Sequence, residues 1–499
     1  MLRIETETNI ERLRQVAILL NRENAKLYGR LEQLTAALAK AEGKDAVSLQ
    51  LEIQYLKEIL ARQTQAIFGR SSEKTGEKPE KEREAKPKRG HGPTEQPNLP
   101  IVDVVCELDR AACRCRDCGG EMGEMDGQFE ESEEIDVVER SFRILRIKRK
   151  KYRCSCGTVI ETAPGPEKLI PGGRYSVGFA TAVAIAKYAD HMPLARQVRQ
   201  MARAGLNVTT QTLWDQLFAL GKHLGPTYQA LRSVVLSAPV IGADETTWQM
   251  MDESGSKRWW AWSISSEDAV YHHIHGSRST ASAEAILGPY AGTIVCDGYA
   301  AYGALAKRRA NAREGPAPPR LAHCWAHVRR KFIEAEVNDE RATKVRSLID
   351  DLFVVEAEAR ATGNGDLRAR RAELRGERSR GIAGEIRRML LSEKVLPRSA
   401  IGRAVLYTDH LWTGLCRFLD DPDIPIDNNG AERALRGIAI GRKNHYGSRS
   451  LRGTHVAALC YSLIESAKLV GVEPGQYLRE ATRRALQNPG AVTLPRDLL

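Results

Sequence analysis

No run in this 499-residue sequence is long and apolar enough to suggest a membrane span. The longest candidate, "VGFATAVAIA", stops at Lys187, short of the ~18 residues a span requires. Nor does the opening stretch read as a signal peptide, since "MLRIETETNIERLR" is charged from its third residue. The ten cysteines are not spread as a disulfide framework would spread them. They cluster, which suits metal binding in a reducing cytoplasm. Nor is acid in excess: 75 Lys and Arg against 64 Asp and Glu leave a net charge of +11. That balance points to a polyanionic partner, nucleic acid before an anionic membrane. Residues 71–98 have no large aliphatic residue and no Phe, Tyr or Trp, so they can bury nothing and read as a disordered linker.

The chain is too long for one ordinary core, and several domains are expected. Residues 8–67 carry a helical pattern. Leu13, Leu20, Leu27 and Leu34 recur every seven residues, which puts Ile10, Ala17, Asn24, Leu31 and Leu38 on the companion seam of a coiled coil. A lone Asn in such a seam sets register and oligomer state. "EGKDA" interrupts the seam, and Leu49, Ile53, Leu56, Leu60 and Ile67 resume it in a shifted frame. The competing reading is an amphipathic helix packed on the chain's own core.

Beyond the linker, "CRCRDCGG" holds Cys115 and Cys118, and "KYRCSCG" holds Cys154 and Cys156. Two such pairs can supply four thiolates to one tetrahedral Zn²⁺. The single residue between Cys154 and Cys156 strains the usual spacing, and Cys113 is an alternative ligand. Between the pairs, "SFRILRIKRKKYR" alternates like a strand and carries seven basic residues from Arg143 to Arg153, which suits phosphate contacts. Downstream, "MPLARQVRQMARAGLNVTTQTLWDQL" has the outline of two helices about a turn at Gly205–Asn207, the second capped by Thr209 or Thr210. A helix-turn-helix here would place Arg203 or Gln211 near DNA.

From Pro239 the pattern changes to strands: "PVIGADETTWQMM", "KRWWAWSISS", "AVYHHIHGS", a helix "STASAEAILGPY", then a fourth strand in "GTIVCDGYAAYG". This β-β-β-α-β order opens an RNase H-like fold, although periodicity also allows other α/β sheets. Alternation turns Asp244 and Glu245 to opposite faces, so only one can serve a shared site. Asp297 ends an apolar strand, where a charge is costly unless paired or bound to metal. In an RNase H-like sheet these strands are neighbours, and Asp244 and Asp297 converge. Facing carboxylates repel, and Mg²⁺ is the natural remedy. Glu432, in the first turn of a helix begun by "IPIDNNGAERALR", is the best third ligand for a second ion, with Arg433 and Arg436 ready for phosphates. Trp259, Trp260 and Trp262 read as core on an alternating strand. His323, Cys324 and His327 have ligand-like spacing, with His327 placed near the acidic site as an auxiliary group.

These segments, together with "IFGRSSEK", "KYADHMPLARQ", "GADETTWQM", "CDGYAAY", "HCWAHVRRKF", "DNNGAERALRGIAIGRKN" and "SLIESAKLVGVEP", resemble the transposases of the insertion sequence 66 family nearly end to end. The resemblance implies a multidomain α/β protein. Its parts would be a coiled-coil oligomerisation helix (1–70), the linker (71–100), a zinc-binding DNA-recognition ribbon (101–165) and a helix-turn-helix-like segment (166–235). An RNase H-like core follows (236–336 and 421–455), interrupted by a helical insertion (337–420), and a helical segment (456–499) completes the chain. It also implies an Asp-Asp-Glu site of Asp244, Asp297 and Glu432 holding two Mg²⁺, and Zn²⁺ on Cys115, Cys118, Cys154 and Cys156. DNA contacts are expected at Arg329, Arg330, Arg436, Arg442 and Lys443. The expected partners are transposon-end inverted repeats, target DNA, further copies of the chain and accessory transposition proteins, in the bacterial cytoplasm at the nucleoid. Two other functions fit the residues: a zinc-ribbon DNA-binding protein whose core is not catalytic, and a structure-selective nuclease on the same fold.

Overall fold

The computed structural model describes residues 10–38, scattered positions from 49 to 60, 141–153, 160–252, 255–361, 366–392 and 395–499. The linker and the cysteines Cys113, Cys115, Cys118, Cys154 and Cys156 lie outside the described residues. Helix α1 (Ile10–Leu38) directs Leu27, Leu31, Leu34 and Leu38 onto Leu49, Ile53 and Leu56 of the same chain. Arg30 Nη2 lies 3.3 Å from Glu52 Oε1 across the pair. The seam is therefore occupied, at least here, by the resumed seam that follows it in sequence. Among the described residues, no single helix is long and apolar enough to cross a membrane.

The strand expected over 141–153 is regular only at β1 (Lys151–Arg153), which pairs antiparallel with β2 (Ile160–Thr162). Alternation misled because neither face is covered from Arg143 to Lys150: Ile144 is 89% exposed and Leu145 61%. Helices α2 (Val177–Tyr188), α3 (Leu194–Arg203) and α4 (Thr210–Ser237) follow. Gly205 adopts φ +80 in the turn before α4, and the Thr209 hydroxyl caps α4 by accepting from Thr212 N–H at 3.1 Å. Arg203 and Gln211 are exposed, and Gln211 Nε2 donates to Asp215 Oδ1 at 2.8 Å.

The centre is a five-stranded sheet of β3 (Val240–Asp252), β4 (Gly255–Ser265), β5 (Val270–His275), β6 (Thr293–Cys296) and β7 (Arg320–His323). Its order is β5-β4-β3-β6-β7. The first three strands are antiparallel neighbours, whereas β6 and β7 run parallel to β3. All four residues of β6 are buried, as a parallel strand covered on both faces requires. The short β7 was not among the strands read from the sequence. Helix α5 (Thr280–Leu287) links β5 to β6, α6 (Ala300–Ala310) links β6 to β7, and α7 (Trp325–Glu336) follows β7 directly.

A helical segment then intervenes: α8 (Glu340–Arg360), α9 (Leu367–Leu374), a π-helical turn at Arg375–Ser379, α10 (Arg380–Ser392) and α11 (Ala400–Leu415). It packs with α7 and the β6–β7 edge in one apolar cluster that includes Val295, Trp325, Phe332, Ile349, Leu411 and Ile426. Next come α12 (Asn429–His445), α13 (Leu451–Leu469) and α14 (Pro474–Gln487). The edge strand β5 is closed by α13. Ser466 Oγ accepts from Val270 N–H at 2.9 Å and Ser462 Oγ from His272 N–H at 2.8 Å, so no further strand can pair there.

Candidate active site

Parallel pairing of β3 with β6 matches Val240 to Thr293, Ile241 to Ile294 and Gly242 to Val295, an offset of 53 residues (293 − 240). Continued two residues further, the same offset matches Asp244 to Asp297. Residues matched across a parallel pair share a face, so both carboxylates project from one side of the sheet. Glu245 takes the other side. It is 8% exposed, pairs with Arg278 (Nε to Oε1, 3.0 Å) and accepts from Tyr302 on α6 at 3.1 Å. The Arg278 guanidinium stacks over Tyr299, 3.8 Å from the ring centroid.

Asp297 sits immediately after β6. Gly298 turns the chain away at φ +90, and Tyr299 N–H donates to Asp297 Oδ1 at 2.9 Å. A Cβ on Gly298 would meet the Leu411 side chain at 2.7 Å, so α11 also demands glycine there. From α11 the Tyr407 hydroxyl donates to the Asp297 carbonyl oxygen. No sequence signal tied Tyr407 to this site, because its segment reads only as charged helix.

The third acid arrives on α12. Asn428 precedes the helix but does not cap it. Its Nδ2 instead donates to the Ala243 carbonyl at 2.8 Å, one residue before Asp244. Asp427 takes the capping role, accepting from Asn429 N–H at 3.0 Å. Close approach of α12 depends on Gly242, where a Cβ would lie 2.8 Å from Asn428 Oδ1. Glu432 thereby faces the sheet, with Oε1 3.5 Å from His327 Nδ1. Its partner is thus His327 of another helix, not Arg436 one turn along its own.

Asp244 registers this crowding. Burial first, then the charges of Glu245, Asp297 and Glu432, push its carboxyl up to about 7, against the Glu245 N–H that donates to Oδ1 at 2.8 Å. No Lys or Arg forms an ion pair with Asp244, Asp297 or Glu432 among the described residues. A half-buried cluster of three carboxylates with no Lys or Arg partner could hold a divalent cation, and its all-oxygen donor set suits Mg²⁺.

The raised pKa carries a stability consequence. Native Asp244 keeps its proton up to about pH 7, whereas an unfolded Asp loses it near 3.8. Between those values the native state binds more protons, so this group makes stability fall as pH rises, with the full cost present above about 7. Asp244→Asn should therefore raise the Tm of metal-free protein at pH 8, by an amount that shrinks towards pH 4. Thermal unfolding across that range checks it, and an equal shift at every pH would refute the assignment.

The other expected site residues fare differently. Arg329 is ion-paired with Asp350 of α8, whereas Arg330, Arg436 and Lys443 are exposed. Arg442 Nη1 donates to Thr246 Oγ1 and Thr247 Oγ1, both at 2.7 Å, and so braces α12 on β3. His323 separates from its neighbours in sequence. Its Nδ1 lies 3.7 Å from Cys296 Sγ, and burial lowers its pKa to about 4. Cys324, which the sequence placed only in a spacing pattern, accepts from Asn428 N–H through Sγ at 3.2 Å. Of the tryptophans, Trp262 is 2% exposed, while Trp259 and Trp260 are partly buried against the same core.

Comparison with known proteins bears on the same segments. A family model described as "Transposase IS66 family" matches residues 172–456, more than half of the chain and all of the sheet, the insertion and α12. A second, the "zinc-finger binding domain of transposase IS66", matches residues 112–157 and spans Cys115, Cys118, Cys154 and Cys156. The chain is 32% identical over 419 residues to the uncharacterized protein y4jD of Sinorhizobium fredii (strain NBRC 101917 / NGR234), covering 81% of this chain and 80% of that protein. It is 30% identical over 419 residues to the uncharacterized protein y4qI of the same organism, covering 81% and 76%. With sheet, insertion and cysteine segment all inside the matched regions, the chain belongs to the IS66 family of transposases.

Proposed function

We propose that the protein is an Asp-Asp-Glu DNA transposase with an RNase H-like core. In this reading it binds the terminal inverted repeats of its element and catalyses metal-dependent strand cleavage and strand transfer. The observation that carries the reading is the register of β3 against β6, which aligns Asp244 with Asp297 where α12 delivers Glu432. Three antiparallel strands followed by two parallel ones, in the order β5-β4-β3-β6-β7, support the RNase H-like assignment.

Asp244, Asp297 and Glu432 would hold two Mg²⁺ ions. When bound, these supply activation of the attacking oxygen and stabilisation of the leaving one. The chain's own part is to fix those carboxylates rigidly: Asp297 by Tyr299 N–H and the Gly298 turn, Glu432 by the Asn428 and Arg442 bonds to β3. Arg330, Arg436 and Lys443, exposed on α7 and α12, are placed to meet DNA phosphates, whereas Arg442 serves the protein itself. Cleavage and strand transfer share one site because both are in-line displacements at phosphorus, with water or a 3′-hydroxyl attacking. Two ends have to be held together, so the protein acts as a homo-oligomer on DNA, in the cytoplasm at the nucleoid.

Zn²⁺ would sit on Cys115, Cys118, Cys154 and Cys156, four soft thiolates of the kind that bind structural zinc. Purified protein should carry about one tightly held zinc per chain on this segment. Cys115→Ser should lose that ion together with specific end binding. Atomic absorption and gel retardation of end-containing DNA check both, and zinc-free wild-type protein that still binds ends would remove the ribbon from the account. Magnesium-dependent nicking of inverted-repeat DNA tests the whole reading. A protein that retards such DNA and never cuts it is a binding protein, and one that cuts branched DNA without repeats is a structure-selective nuclease.

A further inference from the structure

Where the first turns of α7 and α12 meet, Glu432 has two neighbours, Cys324 and His327, that the reaction above does not use. Cys324 stands at the start of α7 and His327 three residues on, so both lie on the same side of that helix. Glu432 faces them from the first turn of α12. Two bonds lock the helix starts together: Trp325 N–H to the Ile426 carbonyl at 3.0 Å and Asn428 N–H to Cys324 Sγ at 3.2 Å. One ligand atom from each of Cys324, His327 and Glu432 lies within 4.8 Å of the others. Among the described residues no other set of three does so. His327 Nδ1 and Glu432 Oε1 are both shut off from solvent, and at 3.5 Å from each other neither makes a hydrogen bond. Buried polar atoms left unsatisfied are costly, and two aimed at each other beside a thiol require an explanation.

We propose that Cys324, His327 and Glu432 form a transition-metal site that takes Zn²⁺ or Co²⁺ in preference to Mg²⁺, and that filling it inhibits the transposase. Thiolate, imidazole and carboxylate are the donors of three-ligand zinc sites, which leave a fourth position to water. Tetrahedral Zn²⁺ needs its ligand atoms roughly 3.3–3.8 Å apart, so movements of about 1 Å close the set. Mg²⁺ is a hard ion that avoids thiolates, so the two sites select different ions. Inhibition follows because Glu432 is shared: held on a zinc ion with Cys324 and His327, it is withdrawn from Asp244 and Asp297. That last step rests on the proposed catalytic role of Glu432, whereas the metal site itself does not.

The test uses full-length protein with its cysteine ribbon already loaded with zinc. Co²⁺ is titrated in, and the near-ultraviolet sulfur-to-cobalt band and the bound equivalents are recorded. Wild type should take one more Co²⁺ than Cys324→Ser or His327→Ala. Affinity for that equivalent should fall more than ~10–100-fold in the variants, the loss seen when even an outer partner of a metal ligand is removed. Equal uptake and equal band intensity in all three proteins would overturn the site. Micromolar Zn²⁺ added to a magnesium-supported nicking reaction should inhibit wild type. Each variant, compared with its own zinc-free rate, should resist. If the extra cobalt binds and nicking ignores zinc, the metal site stands and the shared use of Glu432 falls.

Discussion

Glu432→Gln, Asp244→Asn and Asp297→Asn should each reduce magnesium-dependent cleavage of transposon-end DNA by at least ~10³-fold, while end binding is retained. The size follows from the chemistry: a bound divalent ion contributes several kcal/mol to the transition state, and each 1.36 kcal/mol is about tenfold in rate. Amide for carboxylate keeps shape and hydrogen bonding but removes the charge a cation needs. Glu245→Gln is the informative control. Its carboxylate lies on the opposite face against Arg278 and Tyr302, so the variant should lose thermal stability and keep cleavage per folded molecule. Asp427→Asn should affect only the start of α12, where the aspartate caps Asn429. A Glu432 variant that cuts at wild-type rate beside a dead Asp427 variant would show that the third acid is misassigned. Wild-type cutting by all of them would end the Asp-Asp-Glu mechanism for this chain.

The second large effect is expected far from the acids. In the helical insertion, Arg375 and Glu356 are each 1% exposed and paired at 2.6 Å, with Arg371 3.4 Å from the same carboxylate. Arg375 Nη1 also donates to the carbonyl oxygens of Phe418 (2.7 Å) and Asp421 (3.1 Å). Those carbonyls belong to the stretch that carries the chain from the insertion back to α12. Breaking a buried pair leaves a charge without a partner and costs about 3–5 kcal/mol. Glu356→Gln should therefore destabilise the insertion by that order, and cleavage should fall with it, because Glu432 depends on the returning segment for its position. Denaturant unfolding measures the first effect, and hydrogen exchange of residues 418–436 the second. Adding Arg375→Met to Glu356→Gln should recover part of the stability by removing the stranded charge. A Glu356 variant as stable as wild type would mean that the pair is solvated, contrary to its burial.

Much of the sheet was legible locally. Alternation of period two marked β3, β4 and β5 to within a few residues, and an apolar run ending in a charge marked β6 and Asp297. Those are properties of neighbouring residues, and burial on a covered face enforces them. The same alternation failed at Arg143–Lys150, where every side chain is exposed and the pattern has nothing to enforce it. The four-residue β7 is too short to show a period, and it exists because β6 offers a parallel edge.

Tertiary structure decided what long separations join. Glu432 follows Asp297 by 135 residues (432 − 297), and no local pattern carries information across such a loop. What brings it to the sheet is the docking of α12 on β3, through the close approach at Gly242, the Asn428–Ala243 bond and the Arg442 bonds to Thr246 and Thr247. The surroundings of each arginine were likewise set by tertiary structure: the sequence shows a cation, and only the fold shows whether a threonine, an aspartate or solvent waits for it. Arg442 went to β3, Arg329 to Asp350, and Arg330 stayed exposed. Heptad spacing predicted an apolar stripe on α1 but could not name its partner, since any matching stripe satisfies it. The described residues place Leu49, Ile53 and Leu56 of the same chain against it, the nearest such stripe in sequence and the one with the smallest entropy of closure.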